Sequence, residues 1–157
     1  MGTFVFADII LEYIHMISQS ILNQFKKKYD VVSLFLIFDE KILLLRRQKN
    51  KPYEGTWGPP AGKKDPSENL EEAICRETFE ETGIKLLPKN ISKSKIKYFV
   101  RHENIDFLFY VFSTKLNEKP KIILEPLEHC EYSWFTPKEA LQIDLVKDEH
   151  IPISDFF

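Results

Sequence analysis

Residues 62–84 read GKKDPSENLEEAICRETFEETGI. Within this stretch, residues 69–83 predict a helix with both ends marked. Asn69 is a strong N-cap, and Glu72 three residues on completes a capping box. Gly83 suits the left-handed position just past a helix C-terminus. At about 100° per residue, Leu70, Ala73 and Ile74 form an inward stripe. Glu77 and Glu81 continue that stripe, and Glu80 lies beside it. Three carboxylates at i, i+3 and i+4 therefore share one helix edge, where like charges repel. The nearest cation in sequence is Arg76. Two readings stand: a solvated charged face, or a site for a hard divalent cation. Such a cation takes oxygen ligands and is typically shared with substrate phosphates.

Upstream, residues 48–69 contain Pro52, Gly55, Gly58, Pro59, Pro60, Gly62 and Pro66. They predict a long loop without regular structure. Tyr53, Trp57 and Ala61 inside it favour an ordered loop, and loops of this length are commonly functional. Before it, residues 31–38 and 41–47 are apolar and β-branched runs joined by Asp39-Glu40, which predicts a hairpin. After the helix, strands are predicted over 95–101, 105–114, 121–125 and 132–135. Thr136-Pro137 opens a helix through about Gln142, with proline at its first position. The tail, 144–157, has no clear period. Strands surrounding two or three helices predict an α/β domain with a mixed sheet.

Residues 4–28 predict an amphipathic helix. Asp8, Glu12, His15, Gln19, Asn23 and Lys26 fall on one stripe, and Ile10, Ile14, Ile17, Ile21 and Phe25 fall opposite. Lys26, Lys27 and Lys28 occupy its last turn, where cations oppose the helix dipole. The helix is read as packing on the domain or on a second subunit. A membrane-surface or partner-binding helix is the alternative, weakened by the lack of a strongly basic face. The expected organisation is a helical extension over residues 1–29 and one α/β domain over 30–157.

The net charge of −2 argues against a nucleic-acid-binding surface, which leaves an excess of Lys and Arg. Cys75 and Cys130 form no CxxC pair and no zinc-ligand spacing with histidine, so both are expected reduced in a cytoplasmic protein. The N-terminus lacks a signal-peptide pattern, and no apolar run reaches membrane-span length.

The 62–84 stretch resembles the Nudix box, GX5EX7REUXEEXGU with U aliphatic. The fixed residues Gly62, Glu68, Arg76, Glu77, Glu80, Glu81 and Gly83 are all present at the right spacing. A chance match at a given start is on the order of one in a hundred million, from average composition. Residues 57–62, WGPPAG, look like the family's W-x-x-P-G-G entry. Residues 128–141, EHCEYSWFTPKEAL, resemble its final strand and helix. Thr78 replaces the first aliphatic position, and Ala61 replaces the first glycine of the usual pair. The chain is thus similar to MutT-like Nudix hydrolases, and the resemblance implies an α/β/α sandwich with a mixed β-sheet. The N-terminal helix lies outside the family's pattern.

The resemblance also implies roles. Glu77, Glu80 and Glu81 would ligate Mg²⁺, with Mn²⁺ as a substitute, and Ala61 would add its backbone carbonyl. That carbonyl is in place provided the loop needs no positive φ there. Glu77, Glu80 and Glu128 are the catalytic candidates, with Glu77 or Glu128 as general base and Glu131 second among the loop carboxylates. Glu68 and Arg76 would form a structural ion pair suited to arginine's planar fork. Arg46 and Arg47 are phosphate-binding candidates. Tyr53, Phe99, His102 and Phe107 are candidates to meet a base, and Trp57 is expected in the core. The implied activity is hydrolysis of a pyrophosphate bond in a nucleoside diphosphate derivative. Nucleoside triphosphates or dinucleoside polyphosphates are favoured over ADP-ribose and nucleotide sugars, and RNA ends are disfavoured by the charge. The expected partner is a small nucleotide, with residues 1–29 a candidate homodimer contact. The alternative is a Nudix-fold module that binds a nucleotide without cleaving it.

Overall fold

A computed structural model of the chain describes residues 23–157. Its elements are β1 (Lys27–Phe38), β2 (Lys41–Arg47), β3 (Trp57–Gly58), β4 (Ala61–Lys63), α1 (Leu70–Thr82), β5 (Ser92–His102), β6 (Ile105–Lys115), β7 (His129–Phe135), α2 (Pro137–Ala140) and α3 (His150–Phe156). A 3-10 turn, Pro88–Asn90, follows α1. The strands form one seven-stranded sheet in the order β3-β2-β1-β6-β5, with β4 also on β1 and β7 also on β2. β1 and β6 run parallel, and the other pairs are antiparallel.

Side-chain alternation along β1 and β2 divides the core between the two sheet faces. Val32, Leu34, Leu36, Leu43 and Leu45 pack with Phe112 against Ala73 and Ile74 of α1. Phe35, Ile42 and Leu44 pack with Val111 against Ala140 of α2 and Ile153 of α3. This is the expected α/β/α sandwich, with α1 on one face and the C-terminal helices on the other.

Local signals place several elements where the sequence predicts them. Asp39 and Glu40 adopt φ of 50° and 57°, a two-residue turn that matches the strands' twist and sets Phe38 opposite Lys41. Asn69 accepts from the Glu72 backbone N–H, while the Glu72 carboxylate accepts from the Asn69 N–H. Gly83 closes α1 at φ 73°.

Elsewhere the structure corrects the expectation. The predicted 4–28 helix falls largely outside the described residues, but its last turn is not helical. Lys27 and Lys28 belong to β1, where Lys27 registers with Asp106 of β6, and the Lys26 N–H donates to the Asp106 carboxylate at 2.7 Å. Strand pairing there outweighs a local helical pattern. The 48–69 loop is not wholly irregular either. Trp57–Gly58 pairs with β2 and Ala61–Lys63 with β1, partners that a local reading does not supply. Residues 121–125 form no strand. Ile122 is buried in the α1 core, and Ile123 spends its N–H on the Thr82 carbonyl at 2.8 Å, so the run caps α1 instead of joining a ladder. The tail, read as aperiodic, contains α3. Only Pro152 and Ile153 of that helix are buried, too few to show a period.

Candidate active site

The start of the 62–84 segment is seated by β4. Ala61 and Gly62 register with Ser33 and Val32, and the Leu34 N–H donates to the Pro60 carbonyl at 3.0 Å. Ala61 is absent from the residues with positive φ, so its side chain is accommodated there. Gly62 is required by contact rather than by φ. A Cβ built on it would lie 2.0 Å from the Glu77 carboxyl carbon, so the Glu77 head group lies directly over the Gly62 backbone.

Arg76 fastens the segment. Its Nε donates to Glu68 Oε2 at 3.0 Å and its Nη2 to Glu68 Oε1 at 2.6 Å, the two-pronged pairing that only a guanidinium makes. Nη2 also donates to the Lys63 carbonyl at 3.1 Å. Nη1 donates to Glu77 at 2.8 Å and Glu80 at 3.2 Å. The Arg76 bonds hold the Glu68 carboxyl below its ordinary value. Burial pushes the Glu77 carboxyl up, against the opposing pull of Arg76.

Glu81 is buried and accepts a 3.1 Å bond from the Ala61 N–H through Oε2. Burial pushes its carboxyl up to about 8. Glu80, with its side chain 53% exposed, sits at the outer edge. Among the described residues no three carboxylate, histidine or cysteine side chains are already gathered into a ligand set. α1 brings the three glutamates to one side, but Glu77 and Glu80 are turned toward Arg76 and Glu81 toward Ala61. The donors nevertheless fit a hard divalent cation. All are oxygens, and a buried carboxylate hydrogen-bonded only to a backbone N–H is stabilised by a cation placed against it.

Glu81 and Ala61 line a cleft of about 320 Å³. Arg47 also lines the cleft; Arg46 does not. Arg46 instead meets Glu131 at 3.2 Å, lies over the Trp57 ring at 5.9 Å and donates to the Gly55 carbonyl. Adjacent strand residues point to opposite faces, which separates the two arginines. Trp57 packs in the second core cluster, edge-on to Phe135. All four base-contact candidates, Tyr53, Phe99, His102 and Phe107, line the cleft. Glu128 is held by Lys51 and lies 3.6 Å from Arg47, and the Lys51 ammonium keeps its carboxyl below the usual range.

Several site groups escaped the sequence reading. Lys51 is one, hidden in a lysine-rich loop. His129 is buried, its Nδ1 has no partner, and burial lowers its pKa to about 4. Glu149 is buried with Oε1 unpartnered, and burial pushes its carboxyl up to about 8. Asp148 holds His102 Nε2 at 3.0 Å, while Tyr53 Oη meets His102 Nδ1 at 2.7 Å. Asp148 and Tyr53 both adopt left-handed φ, 67° and 60°. No local pattern marks Lys51, His129, Asp148 or Glu149, whereas Tyr53 and His102 are among the base-contact candidates.

The family model described as NUDIX domain matches residues 27–156. The CTP pyrophosphohydrolase of Escherichia coli (strain K12) is 28% identical over 133 residues, covering 83% of this chain and 92% of that protein. The asymmetrical bis(5'-nucleosyl)-tetraphosphatase of Mus musculus is 33% identical over 95 residues, covering 59% of this chain and 63% of that protein. The crystal structure of a MutT protein from Methanosarcina mazei Go1 superposes with a TM-score of 0.70 at 27% identity, covering 83% of this chain and 94% of that one.

Proposed function

Given that this chain belongs to the Nudix family and is a Nudix pyrophosphohydrolase, we propose that it hydrolyses, with Mg²⁺, a nucleoside triphosphate or a dinucleoside polyphosphate. The observation carrying this reading is that Glu81, Ala61 and Arg47 line one cleft with Tyr53, Phe99 and Phe107. A cation and a carboxylate in the lining suit metal-bound phosphates, and the aromatic side chains in the same lining suit a base. The two substrate classes are those named in the E. coli CTP pyrophosphohydrolase and the mouse bis(5'-nucleosyl)-tetraphosphatase.

Glu77, Glu80 and Glu81, with the Ala61 carbonyl, would hold Mg²⁺ or its substitute Mn²⁺. An ion held there would neutralise charge on the phosphates and lower the pKa of a coordinated water. Arg47 positions a phosphate in the cleft. Glu128 serves as general base, with Glu77 as the candidate on α1 itself. Glu68 and Arg76 position the carboxylates rather than react. The same reading places the protein in the cytoplasm and gives residues 1–29 a homodimer contact, both on sequence grounds. Among the described residues no helix is long and apolar enough to cross a membrane.

The test is a nucleotide panel with and without Mg²⁺, following phosphate and pyrophosphate release, with Glu81→Gln alongside. Metal-dependent cleavage that the variant abolishes is expected. A panel on which wild type and variant are equally inert would overturn the substrate assignment.

A further inference from the structure

Glu128 is crowded by cations. Its Oε1 accepts a hydrogen bond from Lys51 Nζ, and its Oε2 lies 3.6 Å from Arg47 Nη1. Each carboxylate oxygen thus faces a cation, and His129 and Glu81 are the other titratable groups whose charges bear on this corner. The backbones on either side are tied together independently of the pair. The Gln48 N–H donates to the Glu128 carbonyl at 2.9 Å, and Gln48 Nε2 donates to the Pro126 carbonyl at 3.0 Å. The Lys51 and Glu128 side chains, each 35% exposed, can therefore separate without unfastening the loops.

A half-buried ion pair of this kind, with each side chain 35% exposed, adds little to stability. Its two partners are 77 positions apart in sequence, and it sits beside an arginine that lines the cleft. A diphosphate entering that cleft carries more negative charge than one carboxylate and competes for the same cations. Lysine suits such an exchange: its ammonium is a point charge on a flexible four-carbon stem, with no fixed fork to break.

We propose that Lys51 is a phosphate-positioning residue, parked on Glu128 in the free protein, that exchanges this carboxylate for the substrate's phosphate. The exchange strips Glu128 of one cation as substrate binds, leaving an oxygen free to accept a proton. This rests on the reading that phosphates occupy the Arg47 end of the cleft. It adds a residue that the 62–84 motif does not contain.

The experiment is a double-mutant cycle read by calorimetric binding of inorganic pyrophosphate in metal-free buffer. It requires no turnover. Lys51→Met in the Glu128→Gln background is expected to weaken binding about ten-fold, the loss of one charge-assisted contact. Lys51→Arg in that background should stay within about three-fold of its parent, since charge and reach survive. Glu128→Gln alone should tighten binding, because Lys51 no longer has to leave a competing anion. Thermal melting of each variant confirms folding. Pyrophosphate binding unaffected by Lys51→Met in both backgrounds would reduce Lys51 to a surface ion pair. Unchanged or weaker binding by Glu128→Gln would overturn the parking on that carboxylate. On any nucleotide turned over by wild type, Lys51→Met should raise KM, with Lys51→Arg restoring it. An inert nucleotide panel would count against the substrate assignment alone, because the pyrophosphate cycle still reports on Lys51.

Discussion

Replacing Gly62 by alanine should separate activity from stability. The added Cβ would lie 2.0 Å from the Glu77 carboxyl carbon and 2.2 and 2.3 Å from its two oxygens. Ordinary carbon contacts begin at roughly 3.5 Å, so the carboxyl group must retreat by about 1.5 Å. The obstructed atoms are the far end of a flexible side chain, so the backbone need not move. The off-rotamer cost is on the order of 1 kcal/mol. Gly62 does not use a left-handed φ, so alanine also restricts the unfolded chain and offsets about 0.4–1 kcal/mol of that cost. The retreat also loosens the 2.8 Å bond from Arg76, so the urea midpoint should fall modestly, by an amount small beside the loss of activity. A displacement above about 1 Å in a group that aligns substrate costs on the order of a hundred-fold in rate. The assay is kcat/KM on the best nucleotide of the panel at saturating Mg²⁺, beside a urea titration. A Gly62→Ala protein within about three-fold of wild-type kcat/KM would refute the reasoning. The position of the Glu77 carboxylate would then not matter to the reaction.

Glu149 makes a pH-dependent prediction. Its folded carboxyl is pushed up to about 8 by burial, whereas an unfolded glutamate titrates near ~4.3. The fold therefore keeps a proton that the unfolded chain has released. The stability this contributes is complete below about pH 4.3 and is lost as pH rises through about 8. Glu149→Gln has no such proton, so its unfolding free energy should gain on wild type across that window, by at most about 1.4 kcal/mol per pH unit. Parallel stability curves from pH 4 to 9 would sink the idea. Arg76→Lys keeps the charge but loses the two-pronged bond to Glu68 and the reach to the Lys63 carbonyl. With Arg76 29% exposed and Glu68 13%, the expected destabilisation is about 2 kcal/mol, read from the urea midpoint. A variant as stable as wild type would show that the fork carries no stability.

What could be read in the chain alone was what neighbouring residues settle among themselves. The α1 boundaries follow from Asn69, Glu72 and Gly83, which act within one turn of the helix ends. The β1–β2 hairpin follows from two apolar runs around Asp39-Glu40. The three glutamates of α1 stood out because like charges at that spacing repel, a pattern that fits either a solvated face or a cation site. Tertiary structure decided what depends on distant partners. Trp57–Gly58 and Ala61–Lys63 are strands only because β2 and β1 pair with them, whereas residues 121–125, richer in strand-forming residues, find no ladder and cap α1. Lys27 and Lys28 end a helical pattern yet join β1, because β6 pairs with Lys27 and Tyr29 on either side of Lys28. The alternation of β2 sends Arg47 to the cleft and Arg46 to Trp57, a distinction invisible without knowing which face is covered. Lys51 meets Glu128, and Tyr53 and Asp148 meet His102, across dozens of residues. A local pattern encodes helix ends, turns and spacing. Which side chains finally share a cleft is settled by long-range packing, which brings distant residues together only once the sheet has formed.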